Sequence, residues 1–278
     1  MRLGGPVFTE FATPEEWVRA VRGKGYTTAY CPCGPQDPDP AVAAYESAAQ
    51  QAGIVIAEVG AWSNPLSRDE PTRRAAIRLC QERLALADRI GARCCVNIAG
   101  SRGARWDGPH ADNYTEATFD LIIETVRGII DAVKPTRTFY ALETMPWMLP
   151  DSTASYERLI RVIDRPAFAV HFDPVNLICS PRLYYATGDL IREFLRRLGP
   201  WVRSCHAKDI ILAETLTTHL DETRPGLGGL DYRTYLTALS RLDADVPLLL
   251  EHLKTEADYD LAAAHIRAVA AELQVGLG

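Results

Sequence analysis

Four residues able to bind a cation close short apolar runs in the second half of the chain. Glu143 ends Ala141-Leu142-Glu143, Asp173 ends Val170-His171-Phe172-Asp173, His206 ends Ser204-Cys205-His206 and Glu251 ends Leu249-Leu250-Glu251. An acid at the end of an apolar strand that points inward must be paired or coordinated, because burying a lone charge is costly. Three carboxylates and one imidazole suit Mn²⁺, Mg²⁺ or Co²⁺ better than structural zinc, which favours thiolates. Taken singly, each residue has a plainer reading: a solvated rim carboxylate or, for His206, a hydrogen-bonded core histidine. Together, at equivalent ends of successive strands, they point to one divalent metal ion.

Such side chains converge only if the strands stand side by side. Alternation of β-rich runs with helical patterns predicts eight strand-then-helix repeats, hence an α/β chain with a parallel sheet. The strand candidates are residues 5–8, 27–31, 54–61, 93–99, 138–144, 167–173, 203–208 and 247–252. Thr13-Pro14-Glu15-Glu16 and Asp39-Pro40 carry helix-start signals, and Gly25, Gly53 and Gly91 carry helix-stop signals. Eight strands in 278 residues predict a (β/α)8 TIM barrel forming one domain over residues 1–278. In a barrel the C-terminal ends of strands five to eight are neighbours on one rim, where active sites are built. An open doubly wound sheet would need a glycine-rich fingerprint after its first strand, and none follows. Gly226-Leu227-Gly228-Gly229 comes late, after a loop, and is read as a turn entering a helix at Leu230. The longest loops are residues 100–114 and 210–230, both on the catalytic side of a barrel.

Composition excludes several classes. With 47% hydrophobic and 24% charged residues the chain can bury a large core. A net charge of −6 argues against a nucleic-acid partner. The opening residues MRLGGPVFTEF lack a signal peptide's apolar stretch and no run reaches membrane-span length, which predicts a cytoplasmic protein without a membrane partner. Seven cysteines at these spacings are read as reduced thiols, with Cys31 and Cys33 as small buried apolar side chains and not half of a zinc site.

The sequence resembles the xylose isomerase-like barrel superfamily, in the branch of sugar phosphate isomerases and epimerases that includes ketose 3-epimerases and inosose dehydratase. The resemblance spans nearly the whole chain. It is carried by ALE before residue 144, HFDPVN at 171–176, CHAKD at 205–209, PGLGGLDY at 225–232 and LLLEH at 248–252. It implies a Glu, Asp, His, Glu metal site mapping onto Glu143, Asp173, His206 and Glu251, with Mn²⁺ the first choice and Mg²⁺ or Co²⁺ as alternatives. It also implies a carbohydrate substrate, a metal-stabilised enediolate, and Glu143 and Glu251 as the acid/base pair. Relatives are often dimers or tetramers, so a homo-oligomer is compatible with it.

Two positions depart from the epimerase pattern. Asn176 stands where a His is common, and Leu212 where those epimerases carry a substrate-gripping Arg; Arg224 is a replacement cation from the same loop. Lys208 is the remaining cation beside the metal His, reaching either a substrate oxygen or Asp209. Glu58 and Asn97 are expected at the mouth, Trp62, Trp106 and Trp147 as an apolar wall against a sugar ring, and His110 as a base on a lid. The resemblance thus leaves two enzyme classes: an isomerase or epimerase, and a lyase that abstracts a proton beside a carbonyl and expels a β-leaving group. The apurinic endonucleases of the superfamily use a histidine-rich three-metal cluster, and this chain has six His in all, none three residues after Asp173, and an acidic net charge. A barrel that has lost its chemistry is disfavoured by the intact ligand set.

Overall fold

Successive side chains of a strand point to opposite faces, so each short run divides its residues between the inside of a closed sheet and the helices around it. The structure, a computed structural model describing residues 1–278, holds β1 (Arg2–Gly4), β2 (Thr28–Ala29), β3 (Val55–Ile56), β4 (Glu58–Gly60), β5 (Cys94–Asn97), β6 (Tyr140–Glu143), β7 (Phe168–Phe172), β8 (Val202–Ala207), β9 (Asp209–Ala213), β10 (His219–Thr223) and β11 (Pro247–Leu250). Nine of these form one parallel sheet in the order β3-β2-β1-β11-β8-β7-β6-β5-β4. First and last strands join, with Leu3 opposite Leu248. β3 and β4 are two parts of one strand interrupted at Ala57: the first part pairs with β2, the second with β5. The nine segments therefore occupy eight strand positions in a nearly closed barrel. No helix is long and apolar enough to cross a membrane.

The outer layer is α1 (Pro14–Gly23), α2 (Asp39–Ala52), α3 (Glu70–Ile90), α4 (Glu116–Val133), α5 (Thr153–Ile163), α6 (Pro181–Tyr184), α7 (Thr187–Leu198), α8 (Tyr232–Leu239) and α9 (Glu256–Glu272). Thr13 caps α1, accepting from the Glu16 amide at 3.2 Å. Gly53 and Gly91 end α2 and α3 with φ of 63° and 70°, a conformation that costs glycine nothing. All seven cysteines are free.

Four sequence expectations are corrected. The first strand is Arg2–Gly4 and not residues 5–8, because Pro6 has no N–H for a ladder while Arg2 and Leu3 pair with β11. The third strand is interrupted instead of continuous. Part of the 210–230 loop is an antiparallel hairpin, β9 against β10, so this region has its own backbone pairing. The helix after the glycine-rich turn begins at Tyr232, with Asp231 as its cap, and not at Leu230.

That turn has a structural purpose. The buried Asp209 carboxylate accepts from the amides of Gly226, Gly228 and Leu230 at 2.9, 3.1 and 2.9 Å. A Cβ at Gly228 would lie 2.3 Å from the Ile210 carbonyl oxygen, so only glycine permits this approach. Asp209 thus ties the loop after the hairpin to the end of β8. Asp209→Ala, which strands those amides, is expected to cost about 2 to 3 kcal/mol. Thermal unfolding of the variant checks it, and an unchanged Tm would contradict the anchoring role.

Phase along the strands decides the site. Cys94, Val96, Ala141 and Ala169 form a small apolar cluster of their own inside the barrel, while Tyr140, Leu142, Val170 and Phe172 pack into the larger core with the helices. Glu143 is two residues beyond Ala141, and His171 and Asp173 are two and four beyond Ala169, so all three inherit the inward phase.

Candidate active site

At the C-terminal rim, one ligand atom each from Glu143, Asp173, His206 and Glu251 lies within 4.8 Å of the others. His206 Nδ1 faces the carboxylates, 3.1 Å from Glu143 Oε1, 3.0 Å from Glu251 Oε2 and 3.6 Å from Asp173 Oδ2. Its other nitrogen, Nε2, lies 3.4 Å from Glu58 Oε1. Glu58 is also held by His171 Nε2 at 2.9 Å and by the Ser204 hydroxyl, which donates to it at 2.8 Å. Glu58 is therefore not at the mouth: it sits buried below His206 and fixes the ring with Nδ1 toward the cluster. A carboxylate behind a ligating imidazole orients it and raises its basicity.

The fit to a cation rests on two observations beyond residue type. Glu251 Oε2 is buried with His206 Nδ1 and Lys208 Nζ at 3.0 and 2.9 Å, and Glu58 behind Nε2 leaves Nδ1 facing three carboxylates. Oxygen and imidazole donors of this kind suit a divalent ion. The same space receives Lys208, only 2% exposed, whose Nζ lies 2.8 Å from Asp173 Oδ2 and 2.9 Å from Glu251 Oε2. It also donates to Glu222 Oε1 at 3.3 Å. Lys208 and Asp209 do not pair with each other, since the latter holds the glycine-rich turn.

These charges separate the two glutamates. Burial pushes Glu143 above the usual carboxylate range despite His206 and Lys208. Burial also opposes ionisation of Glu251, but His206 and Lys208 outweigh it and hold the group at about 2. Burial works against the charge on Asp173 too, yet Lys208 and His206 keep its carboxyl well below the ordinary range. Asn176 Nδ2 donates to Glu143 Oε1 at 3.2 Å and to Asp173 Oδ2 at 3.4 Å, so it holds two cluster carboxylates in place without being able to exchange a proton.

The cluster opens into a pocket of about 410 Å³. Its lining includes Glu143, Asn176, Lys208 and Glu251 on one side and Trp62, Trp106 and Trp147 on the other. Besides Glu58, three sequence candidates for substrate contact lie outside its lining. Asn97 is one residue out of phase with the inward Val96 and turns to the helix side, donating to Cys80 Sγ of α3 at 3.3 Å. His110 accepts from the Asp112 amide at 3.1 Å and caps a short helical turn. Arg224 lines a second, adjoining pocket that shares Lys208, Glu222, Glu251 and His252 with the first.

Sequence reading passed over Glu222, His252, His171 and Ser204. His171 was findable, since it shares a face with Asp173 two residues on. Glu222 reaches the pocket from β10, and His252 bonds it at 3.0 Å from the residue after Glu251, where φ is 59°. Nothing in the linear pattern announces that pairing. Because Glu58 supports His206, Glu58→Gln is expected to weaken Mn²⁺ binding at least tenfold, in the range typical of lost outer carboxylates. Titration calorimetry reads it, and unchanged affinity would sink the bracing role.

A family model described as xylose isomerase-like TIM barrel matches residues 18–269. No curated protein matches the sequence. Among solved structures, D-psicose 3-epimerase with D-tagatose from Clostridium cellulolyticum H10 superposes with TM-score 0.71 at 14% identity, over 99% of this chain and 100% of that one. The probable 3-DHS dehydratase from Bacillus anthracis gives 0.68 at 16%, covering 94% of each chain. A xylose isomerase-like TIM barrel protein from Mycobacterium smegmatis in complex with magnesium gives 0.65 at 16%, over 99% and 95%. At these identities the likeness concerns the fold.

Proposed function

Because the chain belongs to the xylose isomerase-like TIM barrel family, we propose that it is a metal-dependent sugar isomerase or epimerase acting on a keto sugar or related polyol. The observation that carries this reading is the convergence of Glu143, Asp173, His206 and Glu251 within 4.8 Å at the floor of a pocket of sugar-compatible size. Those four residues would hold one divalent ion, Mn²⁺ first and Mg²⁺ or Co²⁺ as alternatives, with Glu58 holding His206 in place. Bound there, such an ion supplies Lewis-acid stabilisation of negative charge on a substrate oxygen.

The protein's own groups manage the proton. Glu143 and Glu251 are the acid/base pair, one taking a proton from the carbon beside the carbonyl and the other returning one. Asn176 keeps Glu143 oriented. Burial of the cluster excludes bulk water, which strengthens each charge interaction.

A lyase is the second reading, favoured by Lys208. An ammonium 2.9 Å from Glu251 is a proton donor that epimerisation does not need and that a departing oxygen does. The fold match to a dehydratase is compatible with it. Incubation of the Mn²⁺-loaded protein in D₂O with ketoses, keto-inositols and 3-keto-glycosides separates the classes by mass. Isomerisation or epimerisation adds deuterium alone, whereas elimination removes water or an aglycone. Neither deuterium gain nor mass loss with any keto substrate would refute both readings.

A further inference from the structure

One wall of the pocket is unexplained by proton transfer. Trp62, Trp106 and Trp147 line it, 39%, 41% and 36% exposed, from loops that follow β4, β5 and β6. Trp17–Tyr45 is the one tryptophan in a ring–ring contact within the protein, so these three indoles have no aromatic partner. Large apolar groups left partly open in one concave site mark a binding surface.

The wall is also built to stay in place. A Cβ at Gly60 would fall 2.5 Å from Trp62 Nε1, so the glycine lets that indole lie back on β4. Trp147 Nε1 donates to the Asp107 carbonyl at 2.6 Å, and the Asp107 side chain pairs with Arg105 at 2.6 Å. The Ser101 amide donates to the Trp106 carbonyl at 3.0 Å. Ile98 and Met145 add apolar surface to the same side.

The pocket thus combines the charged cluster with three indoles, among which the paired Arg105 and Asp107 also line it. A single pyranose ring has one apolar C–H face, which one indole covers. Three indoles on three loops offer more planar surface than one sugar can use, and about 410 Å³ lies in the range of sites for drug-sized ligands. We propose that the substrate is a glycoside with a planar, apolar aglycone: the sugar sits over Glu143 and Glu251, and the aglycone lies against Trp62, Trp106 and Trp147. This deepens the reading of the site as a sugar enzyme and rests on it.

The test compares phenyl and methyl β-D-glucopyranosides and their 3-keto derivatives, binding to Mn²⁺-loaded protein by calorimetry and tryptophan fluorescence. The phenyl compounds are expected to bind about tenfold more tightly than the methyl ones and to shift indole emission. Trp106→Leu, which keeps apolar bulk without the ring face, and Gly60→Ala, which pushes Trp62 off its seat, should each reduce that preference while leaving Mn²⁺ affinity unchanged. Equal affinity for phenyl and methyl glycosides, or binding of neither, overturns the proposal. The reaction reading fails separately, through absence of Mn²⁺ binding, or of both deuterium gain and mass loss with any keto sugar.

Discussion

Glu251→Gln is expected to lower deuterium exchange from solvent into the substrate carbon by about 10² to 10⁴, the range attributed to general acid/base catalysis. An amide still offers one oxygen to a cation but accepts no proton, so the variant separates ligation from proton transfer. Glu251 and Glu143 are the two carboxylates of the cluster that line the pocket, which places both within reach of a substrate carbon. Glu143→Gln should fall by a comparable factor in product formation. Exchange measured by mass spectrometry reads abstraction where epimerisation follows, and loss of water or an aglycone reads it where elimination follows. If both variants exchanged at the wild-type rate, the carboxylates would be ligands alone and another group would have to be the base.

Lys208→Met should bind Mn²⁺ roughly ten- to a hundredfold more tightly than the wild type. The Lys208 ammonium is buried against Asp173 and Glu251, two of the residues assigned to the ion. A single charge and a doubly charged ion about 4 Å apart at an effective dielectric near 20 repel by about 8 kcal/mol, of which solvent relaxation removes much. In the metal-free protein the same ammonium offsets carboxylates that would otherwise repel one another. The variant should therefore lose about 3 to 5 kcal/mol of stability without metal, the cost of breaking a buried pair, and recover much of it with Mn²⁺. Calorimetric titration and thermal unfolding with and without Mn²⁺ read the two effects. Weaker Mn²⁺ binding by Lys208→Met would contradict the competition and make Lys208 a support for the ligands.

The barrel and the four-residue cluster were legible because both rest on short-range signals: helix and strand alternate along the chain, and strand ends carry the acids and the imidazole. What escaped depends on phase and on tertiary pairing. Asn97 and Glu58 were both assigned to the mouth, but Asn97 faces α3 and Glu58 lies one layer down, distinctions that need the strand's phase relative to its neighbours. The first strand is only Arg2–Gly4, too short to show alternation, and is defined by pairing with β11 at the far end of the sequence. Glu222 meets His252 through a hairpin and a left-handed residue after β11, neither of which has a local signature. Lys208 and Asp209 illustrate the same limit: adjacent in sequence, they point to opposite tasks, one to the carboxylates and one to the glycine-rich turn.

The central claim is that Glu143, Asp173, His206 and Glu251 hold one divalent ion on which the chemistry depends. Elemental analysis of protein loaded with Mn²⁺ and dialysed, set beside its activity in excess chelator, tests this most directly. The expected result is one ion per chain, lost in Asp173→Asn combined with His206→Ala, with chelation abolishing activity while the barrel stays folded. Protein that retains no divalent ion and keeps full activity in chelator would contradict it.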